Sequence, residues 1–260
     1  MTQTDIRYIG VGEGASARGV AVLHAPGNGP GLFWLGGFRS DMTGTKAVSV
    51  AGLAAARGLA STRFDYSGHG FSKGRFEDGT IGRWLDEAEA VFERITRGPQ
   101  ILIGSSMGGW MALLLARKLA ARGRGARLKA LVLIAPAPDF TEALMWRNFP
   151  EEVRHRILRD GVWHRPSLYS DEPYPITREL IEEGRRHLLL GGPIELPAPV
   201  RILQGMRDPD VPWEHALELV GKLEAPSVLL TLVKDGDHRL SRDRDIALLH
   251  ETIRALADSA

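Results

Sequence analysis

Ser106 is the residue of this chain whose setting most clearly predicts chemistry. It stands in a Gly-x-Ser-x-Gly pattern, Gly104-Ser105-Ser106-Met107-Gly108, between the apolar run 100–103 and a helix-like stretch at 109–118. A serine on a sharp turn between a strand and a helix exposes its hydroxyl to substrate, and glycines relieve the crowding at such a turn. The pattern therefore predicts the nucleophile of a serine hydrolase, against the alternative of a serine that only caps the helix.

A second match to the same pattern, Gly70-Phe71-Ser72-Lys73-Gly74, shows that the spelling alone is weak evidence. No apolar run comes directly before Ser72, and residues 75–79 after it are typical of a loop. Ser106 has both the strand and the helix that the motif requires. We therefore expect Ser106, and not Ser72, to be the nucleophile.

A nucleophilic serine needs a base to take its proton and a third group to orient that base. Among the eight histidines, His238 lies in the polar stretch 235–239, directly after the last apolar run. His69, in another loop that follows a predicted strand, is the second candidate. The position favours His238, because a loop after the last strand can reach a nucleophile at a neighbouring strand end.

Two aspartates, Asp208 and Asp210, could orient the base, and both follow the apolar run 200–203. Either could instead cap the turn beside Pro209, which is the usual role of an aspartate near proline. Asp208 is the preferred candidate because it lies nearer the strand end. The resulting order of serine, aspartate and histidine is that of the α/β-hydrolases and differs from the two common serine-protease orders.

The oxyanion formed when a serine attacks an acyl group needs two hydrogen-bond donors. One is expected to be the backbone N–H of Met107, at the start of the helix after the nucleophile. The other is expected to be the N–H of Phe38, because the paired glycines before it let the backbone approach a ligand closely. Both donors are main-chain groups.

Short apolar runs alternate with longer helical patterns along most of the chain, which predicts an α/β fold with a mostly parallel, eight-stranded sheet flanked by helices. The predicted strands are 18–24, 32–35, 61–64, 100–103, 130–134, 200–203 and 227–233, with 6–9 at an edge. The predicted helices are 44–58, 80–97, 107–122, 213–223 and 243–257. In such sheets ligands bind beyond the carboxyl ends of the strands, where all the candidate residues fall.

The interval 137–199 interrupts this alternation, since it shows no convincing strand but has helix-like stretches near 150–158 and 177–188. We interpret it as a small helical cap inserted into a core formed by residues 1–136 and 200–260, within a single structural domain. Its aromatic residues either pack the cap onto the core or line an acyl pocket: Trp146, Phe149, Trp163, Tyr169 and Tyr174. Trp146, Trp163 and Arg39 are the candidate substrate-binding residues.

The composition excludes several classes of protein. A net charge of +1 over 260 residues gives no field that would favour nucleic acid, and the absence of cysteine excludes disulfides, thiol catalysis and thiolate metal sites. The first residues lack the layout of a signal peptide, and no apolar stretch of about 18 residues could span a bilayer. We therefore predict a cytoplasmic protein that acts on a small-molecule or acylated substrate, without nucleic-acid partners or integral membrane association.

Several stretches together resemble the α/β-hydrolase superfamily, and within it the mitochondrial branch with palmitoyl-protein thioesterase and mycophenolic acid acyl-glucuronide esterase activity. The matching stretches are 44–47, 63–68, 98–110, 161–163, 205–208, 211–213 and 237–239. The resemblance implies a triad of Ser106, Asp208 and His238, with Phe38 and Met107 at the oxyanion hole. It also implies hydrolysis of acyl esters or thioesters without a metal or organic cofactor. The start of the chain departs from that branch, because it has no Arg- and Ser-rich presequence.

The same triad leaves other functions open. A C–C bond hydrolase or a peptidase would use the same residues, and a binding protein could keep the fold without hydrolysing anything. A dehalogenase or an epoxide hydrolase would need an aspartate in place of Ser106, so the serine speaks against both.

Overall fold

A computed structural model of the chain describes residues 6–166 and 173–259. Its strands are, in chain order, β1 (Arg7–Val11), β2 (Arg18–Ala25), β3 (Asn28–Leu35), β4 (Leu59–Phe64), β5 (Gln100–Ser105), β6 (Leu128–Ile134), β7 (Val162–Arg165), β8 (Tyr174–Thr177), β9 (Ile194–Glu195), β10 (Val200–Gly205), β11 (Leu223–Glu224) and β12 (Val228–Val233). Its α-helices are α1 (Thr45–Ala56), α2 (Ile81–Ile95), α3 (Met107–Ala121), α4 (Glu151–Asp160), α5 (Arg178–Gly184), α6 (Trp213–Lys222) and α7 (Asp243–Asp258).

Eight of these strands form one sheet in the order β1-β2-β4-β3-β5-β6-β10-β12. Strand β2 is antiparallel to β1 and β4, and the other neighbours are parallel. The sheet confirms the predicted α/β-hydrolase fold class, and every predicted strand is present. Because parallel strands end at the same edge, the loops after β3, β5, β10 and β12 emerge side by side.

Helices cover both faces of the sheet, which explains the continuous apolar runs of its central strands. Along β3, Phe33 and Leu35 pack into the core beneath α2 and α3, whereas Leu32 and Trp34 pack into the core beneath α1 and α7. Successive side chains of a strand point to opposite faces, so a strand covered on both faces must be apolar throughout. No helix of residues 6–166 and 173–259 is long and apolar enough to cross a membrane.

The segment 137–199 differs in part from the expected strand-free cap. It contains α4 and α5, as predicted, but β7 and β8 also form an antiparallel pair with Trp163 opposite Ile176. The prediction that the segment has no strand was wrong because these strands are only four residues long and β8 contains Pro175, which obscures a strand pattern. Tyr169 lies outside the described residues.

Candidate active site

Ser106 occupies the sharp turn between β5 and α3. Its backbone has a φ of 55° and a ψ of −118°, a conformation that costs a non-glycine residue roughly 1–3 kcal/mol. The Ser106 N–H donates to the carbonyl of Ile134 at 2.9 Å, and its carbonyl accepts from the N–H of Gly109 at 2.8 Å. The adjacent strand and the first turn of the helix therefore hold this strained residue in place.

Glycines on either side of Ser106 are required by close packing. A Cβ atom at Gly104 would lie 2.2 Å from the carbonyl oxygen of Gly108, and one at Gly108 would lie 2.0 Å from the carbonyl oxygen of Leu35. Both distances are far below van der Waals contact, and the opposing atoms are backbone atoms that cannot move aside easily. The two glycines of the motif thus let the helix start directly against β3 and β5.

The structure brings the three predicted side chains together in a continuous chain of hydrogen bonds. Nε2 of His238 lies 3.1 Å from Oγ of Ser106, and Nδ1 of His238 lies 2.7 Å from Oδ2 of Asp208. Ser106 follows β5, Asp208 follows β10 and His238 follows β12, so each residue comes from a different strand end. The Asp208 side chain is fully buried, and that of His238 is 18% exposed.

The partners of Asp208 determine where the protons of this chain lie. Oδ1 of Asp208 accepts from the backbone N–H groups of Asp210 and Val211 at 2.8 and 2.9 Å, and Oδ2 accepts from Nε2 of Gln204 at 3.3 Å. Since these partners are all donors, the carboxylate serves as an acceptor, and Nδ1 of His238 carries the proton directed at it. Nε2 of His238 is then the acceptor that faces the Ser106 hydroxyl. Asp210 enters this network through its backbone N–H.

The two backbone N–H groups expected to bind an oxyanion lie beside Ser106. Phe38 is in the loop after β3, and Met107 is the first residue of α3. Over the described parts of the chain, neither N–H has a hydrogen-bond acceptor in the protein. Both residues line the same cavity as Ser106. The N–H of Met107 is one of the unpaired donors at a helix N-terminus, where the helix dipole also favours negative charge.

A cavity of about 820 Å³ opens above Ser106 and His238. Much of its wall is apolar and comes from the segment after β6 and from the loop before α6: Ala137, Phe140, Leu144, Met145, Val211 and Pro212. Cationic side chains line other parts of it: Arg39, Lys46, Arg165 and Arg239. Burial lowers the pKa of Lys46 to about 8. The cavity thus combines an apolar wall with basic groups around one reactive serine.

Of the three candidate substrate-binding residues, Arg39 alone lines this cavity. Its guanidinium lies over the rings of Phe76 and Tyr174, at 5.4 and 5.7 Å from their centroids. Trp163 instead packs edge-on against Phe149 at 5.2 Å, and Trp146 lies beneath the guanidinium of Arg185 at 5.1 Å. Neither tryptophan is among the lining residues, so the structure assigns both to packing within the cap.

The rejected candidates Ser72 and His69 have structural partners. Oγ of Ser72 donates to the carbonyl of Asp65 at 2.6 Å and accepts from the N–H of Ala21 at 2.7 Å. Nε2 of His69 accepts from the N–H of Arg39 at 3.1 Å. The hydrogen-bonding atoms of both side chains are therefore engaged with the backbone, away from Ser106.

Three ligand-type groups, from Asp208, Asp210 and His238, have atoms within 4.8 Å of one another, a spacing that could suit a metal ion. The hydrogen bonds described above already use both oxygens of Asp208 and both ring nitrogens of His238. An ion there would have to displace the Ser106 hydroxyl or the Asp208 contact. The spacing is explained by the hydrogen bonds, and the absence of a metal from the reaction stays a prediction.

Asp65, which sequence reasoning did not single out, holds two loops at the edge of the site. Directly after β4, its Oδ1 accepts from the N–H of Met42 at 2.6 Å and its Oδ2 from the N–H of Phe71 at 2.8 Å. Burial raises the pKa of this carboxyl to about 6, against the two hydrogen bonds that lower it. Its position at a strand end on the same edge was the signal that could have identified it.

Asp65 is expected to make folding stability depend on pH. The unfolded carboxyl has a pKa of about 4, so between pH 4 and 6 the folded state keeps a proton that the unfolded state has lost. This contribution to the free energy of unfolding is therefore present at about pH 4 and is lost as the pH rises through 6, by about 3 kcal/mol in all. Chemical denaturation of the wild type and of Asp65→Asn at pH 4.5 and 7 measures it. The wild type should gain on the variant at low pH, and a difference independent of pH would contradict the assignment.

Comparisons with known proteins agree with this geometry. A model of the alpha/beta hydrolase family matches residues 21–251. The mouse protein named mitochondrial palmitoyl-protein thioesterase ABHD10 is 39% identical over 240 residues, which are 92% of this chain and 79% of that protein. A crystal structure of a putative hydrolase from Agrobacterium vitis S4 is 49% identical, with a TM-score of 0.94 and coverage of 98% of this chain and 99% of the other. The structure of alpha/beta hydrolase domain-containing protein 10 from mouse is 35% identical, with a TM-score of 0.86 and 98% of both chains covered.

The names of the curated relatives contradict one prediction from the sequence. The mouse relative is named as mitochondrial, which overturns the expected cytoplasmic location. That expectation rested on net charge, cysteine content and the residues at the start of the sequence. None of these properties identifies a compartment.

Proposed function

The chain belongs to the alpha/beta hydrolase family, and on that premise we propose that it hydrolyses carboxylic esters or acyl thioesters through an acyl-enzyme formed on Ser106. His238 is the base and Asp208 the residue that orients it. The observation that carries the proposal is the hydrogen-bonded chain from Ser106 Oγ through His238 to Asp208, with contacts of 3.1 and 2.7 Å. A serine, a base and an orienting carboxylate linked in this way are the machinery of acyl transfer.

In the first half of the reaction, Ser106 Oγ attacks the acyl carbon while its proton passes to Nε2 of His238. The developing imidazolium is stabilised by the Asp208 carboxylate, which faces Nδ1. The bond between the acyl carbon and the leaving oxygen or sulfur then breaks, and the proton on Nε2 goes to the leaving group. The products of this half are a free alcohol or thiol and an ester on Ser106.

In the second half, water takes the place of the serine hydroxyl. His238 accepts a proton from the water at Nε2 as the water oxygen attacks the acyl carbon, and the same proton returns to Ser106 Oγ when the acyl–serine bond breaks. A carboxylic acid leaves and the enzyme is restored. Each half needs a neutral His238 at its start and an imidazolium in the middle, so one residue serves as base and then as acid.

Both tetrahedral intermediates carry negative charge on the former carbonyl oxygen. The N–H groups of Phe38 and Met107 are suited to bind it, because both residues line the cavity beside Ser106 and neither N–H is paired within the described residues. Such donors are already oriented before the reaction, and removing one from a hydrolase site costs roughly 3–4 kcal/mol of transition-state stabilisation. The Phe38 donor depends on the shape of the loop after β3.

The apolar wall of the cavity is the proposed site for the acyl group. Phe140, Leu144 and Met145 lie on or next to a single π-helical turn, Thr141–Met145, and offer a surface that a hydrocarbon chain would bury. The mouse relative is named a palmitoyl-protein thioesterase, which supports an acyl chain as the recognised part. We also propose to treat 137–199 as a cap within one structural domain, because its residues form this wall.

Hydrolysis of matched substrates tests the proposal. We expect turnover of p-nitrophenyl butyrate and of a butyryl thioester, followed by release of chromophore or free thiol. A fluorophosphonate should abolish both activities with one label per chain, because it reacts with an activated serine. A binding protein with the same fold would show neither turnover nor labelling.

A further inference from the structure

The loop that carries the Phe38 N–H is held in an unusual backbone shape. It runs from the end of β3 to the start of α1, and Arg39 within it has a φ of 58°, in the left-handed region that L-residues rarely adopt. The N–H of Ser40 donates to the carbonyl of Gly37 at 3.1 Å, and the Ser40 hydroxyl donates to the same oxygen at 2.9 Å. A tight turn thus forms around Phe38, and a further contact fixes its orientation.

That contact comes from His69, in the loop after β4. Nε2 of His69 accepts a hydrogen bond from the N–H of Arg39 at 3.1 Å, while Nδ1 lies 3.2 Å from the carbonyl oxygen of Ser67. A carbonyl can only accept, so Nδ1 carries the proton and Nε2 offers its lone pair. Burial lowers the pKa of His69 to about 4, so the ring is neutral near pH 7 and remains an acceptor.

The His69 ring is itself held rigidly. It is 4% exposed and meets the rings of Tyr66, Phe76 and Trp84 edge-on, with centroid distances of 5.8, 5.0 and 5.2 Å. The Phe38 ring packs on the same cluster, 4.9 Å from Phe76 and 6.0 Å from Trp84. The cluster therefore fixes both the side chain of Phe38 and the acceptor for the peptide group that follows it.

The other end of the loop is anchored separately. The N–H of Met42 donates to Oδ1 of Asp65, and Asp65 and His69 belong to the same loop after β4. Between these two anchors, the peptide group joining Phe38 and Arg39 cannot rotate without breaking the His69 contact. The peptide group before it carries the Phe38 N–H, so rotation at one peptide tilts the other.

We propose that His69 is a positioning residue of the active site, which keeps the Phe38 N–H directed at the substrate oxygen by accepting the hydrogen bond of the Arg39 N–H. The inference rests on the proposed acyl-transfer function. It assigns to His69 an effect on the transition state with little effect on substrate binding, because the oxyanion forms only after attack. His69 makes no contact with the reacting atoms.

Two substitutions separate the acceptor from the packing of the ring. His69→Phe keeps an aromatic ring in the cluster but leaves the Arg39 N–H without its acceptor. His69→Gln loses the ring but offers an amide oxygen at the end of a side chain of similar reach. His24→Phe is the matched control, since His24 contacts Thr62 on the antiparallel side of the sheet and does not line the cavity.

We expect His69→Phe to lower kcat for p-nitrophenyl butyrate about 10- to 100-fold, with KM within about threefold, because a small misplacement of a catalytic group has effects of that order. A trifluoromethyl ketone, whose adduct with a serine carries an oxyanion, should bind His69→Phe more weakly by a similar factor. His69→Gln should recover at least about tenfold of the lost kcat, and His24→Phe should match the wild type. Full kcat and inhibitor affinity in His69→Phe, or equal losses in both His69 variants, would overturn the proposal.

Amide hydrogen exchange tests the contact independently of activity and of the folding of any variant. In the wild type the Arg39 amide should exchange at least about tenfold more slowly than an unbonded amide, and folded His69→Phe should lose this protection. An unprotected Arg39 amide in the wild type would overturn the proposal even if the variant does not fold. A protected amide in a protein without hydrolase activity would instead refute the proposed function and leave the contact standing.

Discussion

Replacing Ser106 by alanine is expected to lower kcat about 10⁴-fold or more for both p-nitrophenyl butyrate and a butyryl thioester. The variant keeps the cavity, the unpaired N–H groups and the His238–Asp208 pair, but it has no oxygen that can form the acyl-enzyme. KM should change little, because the hydroxyl contributes little to binding the acyl chain. Steady-state kinetics over an enzyme concentration range, with the purified variant checked for residual wild type, measures the loss.

Ser72→Ala is the matched control, since Ser72 has the same Gly-x-Ser-x-Gly spelling and a different environment. Its hydroxyl bridges Asp65 and Ala21, so its removal should cost stability of about 1 kcal/mol and leave kcat within a few-fold. If Ser72→Ala abolished turnover of the folded protein while Ser106→Ala retained it, the assignment of the nucleophile would be wrong.

Asp208→Asn is expected to have the second-largest effect, a decrease of roughly 10⁴-fold in kcat. An asparagine keeps the shape of the side chain, but its amide nitrogen can direct a donor at Nδ1 of His238. The ring is then driven to the tautomer with its proton on Nε2, facing Ser106, where it cannot accept the hydroxyl proton. The backbone donors of Asp210 and Val211 compete for the remaining amide oxygen and reinforce this outcome.

Asp210→Asn separates the two candidate acids. Asp210 donates its backbone N–H to Asp208, and that group is unchanged by the substitution. We expect kcat to fall less than about tenfold, the remainder reflecting its place in the cavity wall. Activities in the reverse order, with Asp210→Asn inactive and Asp208→Asn near normal, would transfer the orienting role to Asp210.

The sheet and the residues at its edge could be predicted because both follow local rules. Continuous apolar runs marked β3, β5, β6 and β10, and the turn residues after them marked the strand ends. Once strands alternate with helices, connection rules place the carboxyl ends on one edge. The meeting of Ser106, Asp208 and His238 then follows from three separate strand-end positions.

The cap and the second layer of the site could not be predicted in the same way. The β7–β8 pair is short and contains a proline, so its pattern does not stand out. Whether a cap aromatic such as Trp163 faces the cavity or Phe149 depends on packing across the cap, which no local pattern records. The role of His69 depends on a hydrogen bond to Arg39, 30 residues away in the chain, and on a left-handed backbone that the residue type does not favour.

An acyl group on Ser106 is the most direct test of the reaction proposed for this site. The protein should be mixed with p-nitrophenyl butyrate, quenched in acid within milliseconds to seconds, digested and analysed by mass spectrometry. The account predicts a butyryl group on the peptide that contains Ser106, localised to that serine by fragmentation and absent from Ser106→Ala. Rapid turnover with no acyl group at Ser106 at any quench time, or with the acyl group on another residue that turns over at the rate of kcat, would contradict it.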